Sequence, residues 1–180
     1  MVKIVRIFVV MTLLLVTMAA PASAKGPDHH VPIKGTVVGE HDPPDFTAPD
    51  CPEWAEWRYS SAGEGHMSHL GQVEYSLTQC TVSGLVSSSE GTITFVAANG
   101  DELWLEHTMF GHMVAEPDAP PDGYFVEREW TAVGGTGRFT HASGSGDLYG
   151  TGNIYGIVDP DVPPWLMETN FEGDIAYKRK

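Results

Sequence analysis

The chain has 180 residues, with 24 Asp and Glu against ten Lys and Arg and a formal net charge of −14 at pH 7. An acidic field of this size repels nucleic-acid phosphate and anionic membrane surface, so neither is an expected partner. Only two cysteines are present, Cys51 and Cys80, and neither sits in a C-x-x-C, which speaks against a dithiol redox motif or a cysteine-rich metal site.

Residues 1–24 read as a secretory signal. Lys3 and Arg6 supply the positive region, Ile7 to Met18 form an apolar run broken only by threonines, and Ala22-Ser23-Ala24 is a small-residue cleavage site. The apolar run falls short of the ~20 residues that span a bilayer. The expected product is therefore secreted, extracellular or periplasmic, with no membrane attachment after cleavage. Loss of Lys3 and Arg6 leaves eight bases against 24 acids, a formal net charge of −16. In an oxidising compartment the two cysteines are expected to pair, and closing a loop of about 30 residues is worth roughly 3.5 kcal/mol in the chain-entropy model.

Residues 25–32, with two prolines and His29-His30, read as a flexible N-terminus, and 33–180 as a single β-barrel domain. Ile33 to Glu40 reads as a first strand. The segment His41 to Pro52 holds four prolines and three aspartates and reads as a loop. Its acids lack the D-x-D-x-D-G spacing of a calcium loop. Glu53 to Ser61 has strand composition, although Glu-Trp-Ala-Glu-Trp also fits a helical turn. After Gly63-Glu64-Gly65, a strand from His66 to Cys80 shows Val73, Tyr75 and Leu77 on one face and Glu74, Ser76 and Thr78 on the other. Gly91 to Ala98 and Glu102 to Phe110 flank Asn99-Gly100, which predicts a two-residue type I′ hairpin. Gly111 to Gly123 reads as a long loop. Strands at Tyr124–Val133, Gly144–Ile157 and Met167–Tyr177 follow, the last two separated by the Pro-rich segment 159–165. The total is about eight strands and no helix, a pattern suited to an antiparallel barrel that removes its own edges.

Between two of these strands lies Gly134-Gly135-Thr136-Gly137-Arg138-Phe139-Thr140-His141-Ala142-Ser143-Gly144-Ser145-Gly146, five glycines in thirteen residues and a forced reversal. Gly-Gly-Thr-Gly-Arg-Phe followed by Ala142-x-Gly144 resembles the turn of dirigent proteins, of allene oxide cyclases and of secreted bacterial proteins grouped as allene oxide cyclase barrel-like. His69-Leu70-Gly71, Phe95 to Asp101 and the closing run Phe171 to Tyr177 are similar to that family in the same order. The resemblance implies an eight-stranded antiparallel barrel with a central cavity. It also implies activities, namely cyclisation of an allene oxide or guidance of phenoxy-radical coupling, that work by enclosing a reactive apolar molecule. No catalytic residue of either enzyme carries over by motif.

The candidate site residues come from the strand faces. Leu103, Leu105, His107 and Met109 share one face, and Glu102, Trp104, Glu106, Thr108 and Phe110 the other. In the next strand Arg128 falls with Tyr124, Val126, Trp130 and Ala132. If these faces point inward, Arg128 needs an acid such as Glu106 or a bound anion, because an unpaired charge in a low-dielectric lumen is costly. The catalytic candidates are thus Glu106 or His107 as general acid/base and Arg128 as electrostatic stabiliser. The alternative places Arg128 at the barrel rim beside Glu127 or Glu129 and His107 hydrogen-bonded in the wall. His66-x-x-His69 puts its two rings on opposite faces of a strand, so no metal is expected, and no dinucleotide or phosphate fingerprint predicts a cofactor. The tryptophans 54, 57, 104, 130 and 165 are candidates for core or cavity lining.

Three functions follow as expectations. The first is a barrel that binds a small apolar or aromatic ligand, the second a cyclase-like or dirigent-like enzyme, and the third a structural or surface-interaction barrel with a filled core.

Overall fold

The structure is a computed structural model and describes residues 30–48, 50–82, 87–111, 123–153 and 166–178. The proposed signal segment, most of 25–32, the segment 112–122 and the Pro-rich segment 159–165 lie outside these residues. The chain is all-β: β1 (His30–His41), β2 (Trp57–Met67), β3 (Gly71–Val82), β4 (Ser87–Ala97), β5 (Glu102–Gly111), β6 (Gly123–Gly135), β7 (Ser143–Asn153) and β8 (Leu166–Ala176). They pair in sequence order, all antiparallel, and β8 returns to β1 to close the barrel. A 3-10 turn at Gly137–Phe139 is the sole helical element among the described residues, and no helix there is long and apolar enough to cross a membrane.

Alternation produces this wall. In β3, Val73, Tyr75, Leu77, Gln79 and Thr81 are buried while Gln72, Glu74, Ser76 and Thr78 are exposed. The register carries each inward set to the next strand, so that Leu77 meets Ile93, and Ile93 meets Leu105.

The two ends of the barrel differ. At one, the turn end, β2–β3, β4–β5 and β6–β7 join through tight reversals. The β4–β5 reversal is not the expected type I′ turn. Gly100 alone takes a positive φ, 82°, and the Gly100 amide donates to the Ala97 carbonyl at 2.8 Å while the Ala97 amide donates to Asp101 at 3.0 Å. That is a three-residue loop with the glycine after a type I turn, whose left-handed residue restores the strand twist. The β2–β3 reversal falls at Ser68–Leu70, with His69 at φ 67°, whereas the sequence suggested a break at Gly63–Gly65. Those glycines lie inside β2 because β1 passes too close for a side chain: a Cβ on Gly63 would sit 2.1 Å from the Val38 carbonyl oxygen, and one on Gly65 would sit 2.2 Å from that of Thr36. Residues 53–56 precede β2 instead of starting it.

The Gly134–Gly146 segment seals the turn end. Its Thr136 exchanges two hydrogen bonds with Glu102, amide to carbonyl and amide to hydroxyl, both 2.9 Å. This anchors the loop on β5 and drops Phe139 into the barrel, fully buried against Tyr177. Arg138 lies over both rings and pairs with Asp101 at 3.4 Å.

At the opposite, loop end leave the connections 42–56, 83–86, 112–122 and 154–165. The first of these is tied down. Cys51 and Cys80 form a disulfide with Cα atoms 5.6 Å apart, as the sequence predicts, and Arg58 binds Asp45 at 3.1 Å and Asp50 at 2.7 Å. A disulfide fits a non-cytosolic compartment.

Candidate functional site in the barrel lumen

The lumen divides along its axis. Its turn-end half is apolar and filled: Ile33, Ile93, Phe95, Leu103, Leu105 and Ile175 are each no more than 2% exposed, and Phe95 meets Phe171 edge-to-face at 5.0 Å. Trp130 belongs to this layer and donates its indole N–H to the Asp147 carbonyl at 3.0 Å. Dispersion contacts among these side chains and the area they remove from water hold the barrel together.

The loop-end half has the same alternation but polar residues. His41, Tyr59, Gln79, Thr81, Ser89, His107, Arg128 and Thr169 are all buried there. Arg128 is 4% exposed, so it is inside the wall and not at the rim beside Glu127 or Glu129, both of which are exposed. Its guanidinium crosses the lumen. One terminal nitrogen donates to the Gln79 side-chain oxygen on β3, and the other donates to the Tyr59 hydroxyl on β2 at 3.4 Å. Gln79 in turn donates to the Thr81 hydroxyl at 3.1 Å. Nearer the turn end, the Ser61 and Tyr75 hydroxyls share a hydrogen bond of 2.8 Å.

All of these partners are neutral. Among the described residues no carboxylate pairs with Arg128. Glu106 does not reach it: the residue is exposed on the outer face, where it lines a groove with Asp50 and Glu90, while its neighbour His107 points inward. The structure thus brings Arg128 and His107 into one polar layer and leaves Glu106 outside it.

Burial, reinforced by the Arg128 charge, lowers the pKa of His107 from 6.5 to about 3 and that of His41 to about 4. Both rings are therefore neutral at pH 7, and Arg128 is the one charge in this half among the described residues. Several of the polar atoms are also unsatisfied. Both ring nitrogens of His107, the Ser89 and Thr169 hydroxyls and Arg128 Nε have no hydrogen-bond partner among the described residues. Buried polar groups in proteins are nearly always satisfied, so each that is not calls for a specific explanation.

An aromatic line leads outward from this layer. His41 meets Tyr59 edge-on at 4.8 Å, Tyr59 lies 6.0 Å from Trp57, and Trp57 lies 6.4 Å from Phe46, which is 72% exposed on the 42–56 connection. Trp57 is half-buried at the mouth, Trp130 is core, and Trp54 and Trp104 face solvent; Trp165 lies outside the described residues. His66 is exposed at the end of β2, and His69 sits in the turn with Nε2 donating to the Pro32 carbonyl at 2.9 Å. Among the described residues no cluster of His, Cys, Asp and Glu could hold a metal ion.

Sequence reasoning singled out His107 and Arg128 but not Gln79, Tyr59, His41, Ser89 or Thr169. One more step of the Val73, Tyr75, Leu77 alternation places Gln79 on the dry face. No protein-family model matches this chain, and no curated protein or solved structure is significantly similar to it.

Proposed function

We propose that this chain is a secreted barrel of the allene oxide cyclase barrel-like kind, which binds a small apolar or aromatic molecule in the loop-end half of its lumen without altering it. The observation that carries the reading is the set of buried polar atoms on Ser89, His107, Arg128 and Thr169 that have no hydrogen-bond partner among the described residues, in a barrel whose other half is lined by buried apolar side chains. A structural barrel with a filled core accounts for the turn-end half and leaves that set unexplained. The disulfide supports secretion, and the order of elements around the Gly134–Gly146 turn supports the family.

A cyclase-like or dirigent-like enzyme is favoured less. Glu106 is outside the lumen, and a histidine with a pKa of about 3 is poorly matched to proton transfer near neutral pH, where a catalytic pKa close to the working pH is best.

The test is binding of the neutral apolar fluorophore N-phenyl-1-naphthylamine to the mature chain. One-to-one binding is expected, weakened strongly by Thr169→Leu, which fills the lumen, and unchanged by the outward Thr151→Leu. No binding, or equal binding to both variants, overturns the reading.

A further inference from the structure

We infer that the molecule enclosed is a compact monocarboxylate that sits with its carboxylate inward on Arg128 and its apolar or aromatic body towards Trp57. The inference rests on the enclosure reading above and adds the chemical class and orientation of the ligand.

Charge comes first. Arg128 is buried, its protein partners are the uncharged Gln79 and Tyr59, and no acid faces it among the described residues. A guanidinium in such surroundings is stabilised by an anion, and its planar fork matches a carboxylate with two parallel hydrogen bonds. Among the described residues nothing accepts a hydrogen bond from Nε.

The neighbouring groups fit the same ligand. The Ser89 and Thr169 hydroxyls are donors without partners among the described residues, and neutral His107 offers one N–H. One cation among neutral donors matches a single negative charge. A dianion such as a phosphate would bring a second charge with nothing to balance it.

Shape fixes the direction. Below Arg128 the lumen is occupied by Phe95, Leu105, Trp130 and Phe171, so a ligand's body cannot extend that way. Above it the lining turns aromatic at Tyr59 and Trp57, and Trp57 lies 6.4 Å from the exposed Phe46. Gly150, beside Thr169, is tightly surrounded but less crowded than Gly39, Gly91 and Gly146. A Cβ there would come no nearer than 3.3 Å to Met167 Sδ, whereas at the inward Gly39, Gly91 and Gly146 it would lie 2.0 to 2.3 Å from another atom.

The experiment is calorimetric titration of the mature chain with 3-phenylpropionate and with its neutral amide, beside the neutral fluorophore used above. The acid is expected to bind roughly 30-fold tighter than the amide, as hydrogen bonds to a buried charge imply. Arg128→Gln should abolish that preference while leaving amide affinity within about threefold, since the apolar contacts remain. Should Arg128→Gln fail to fold, Arg128→Lys, which keeps the charge and loses the fork, is expected to lower the preference to an intermediate value. Equal binding of acid and amide to the wild type, a preference that survives in Arg128→Gln, or a preference that is undiminished in Arg128→Lys, overturns the carboxylate inference while the enclosure reading stands. Failure of all three compounds to bind overturns both.

Discussion

Arg128 on β6 and Gln79 on β3 meet across the lumen, although two other strands separate them in the wall. The contact ties opposite sides of the barrel at the level where apolar packing stops. It also gives the guanidinium its strongest protein partner.

Gln79→Leu removes that partner and leaves a buried charge with the Tyr59 hydroxyl as its one hydrogen-bond partner among the described residues. The expected loss is about 2–4 kcal/mol, read by urea denaturation. Arg128→Met should cost far less, and the double variant Gln79→Leu/Arg128→Met should be more stable than Gln79→Leu. Additive losses in the double variant would mean that the pair is not an energetic unit.

Acid should weaken the fold before its carboxylates titrate. The folded pKa values of His41 and His107 are about 4 and about 3, against 6.5 unfolded, so below pH 6.5 the unfolded chain binds more protons than the folded one. Stability is unaffected by these groups above pH 6.5 and falls as pH drops from 6.5 towards 4 and 3, by on the order of a few kcal/mol. Denaturation midpoints at pH 7.5, 6 and 5 test this, and His107→Gln should flatten part of the slope.

The disulfide holds the 42–56 connection on the outside of β3. Cys51→Ser/Cys80→Ser is expected to lose about 3.5 kcal/mol of stability, measured by thermal or urea unfolding under non-reducing conditions. Aromatic circular dichroism should report the same release, because Phe46 and Trp57 lie on either side of the tether.

Two glycines of the turn end should respond differently to alanine. At Gly137, φ is 56° and a Cβ would lie 1.8 Å from Asp101 Oδ1, so substitution must displace the acid that pairs with Arg138. At Gly100, φ is 82° with open space around it. Gly100→Ala should cost about 1 kcal/mol from the backbone conformation alone, and Gly137→Ala more than about 2 kcal/mol. Equal losses would show that the Asp101 contact carries no weight.

The wall of the barrel was legible because β3, β5 and β6 each repeat their alternation several times, enough to fix which face is dry. The polar layer was harder to see because its members sit near strand ends, where few repeats of the alternation remain. His41 closes β1 just past a readable run, Ser89 precedes the run that begins at Gly91, and Gln79 follows three apolar residues as a single polar one. Gly63 and Gly65 misled for a different reason. A glycine required by the closeness of a neighbouring strand has the same letter as one required by a turn. The Arg128–Gln79 contact was not readable at all, since it exists only once a sheet closes on itself and brings distant strands face to face.

That closure is also the least local pairing in the molecule. Seven of its eight strand pairings are hairpins between neighbours, whereas β1 and β8 join His30 to Ala176 across nearly the whole described chain. Non-local pairing of this kind slows folding, because loop-closure entropy is lost before the contact forms. Until it forms, β1 and β8 both present open ladders with unpaired amides and carbonyls, which template strand addition from other chains. Clipping within β8 would make that exposure permanent on β1 and β7, so proteolysis near the C-terminus turns a self-contained barrel into a seed for aggregation.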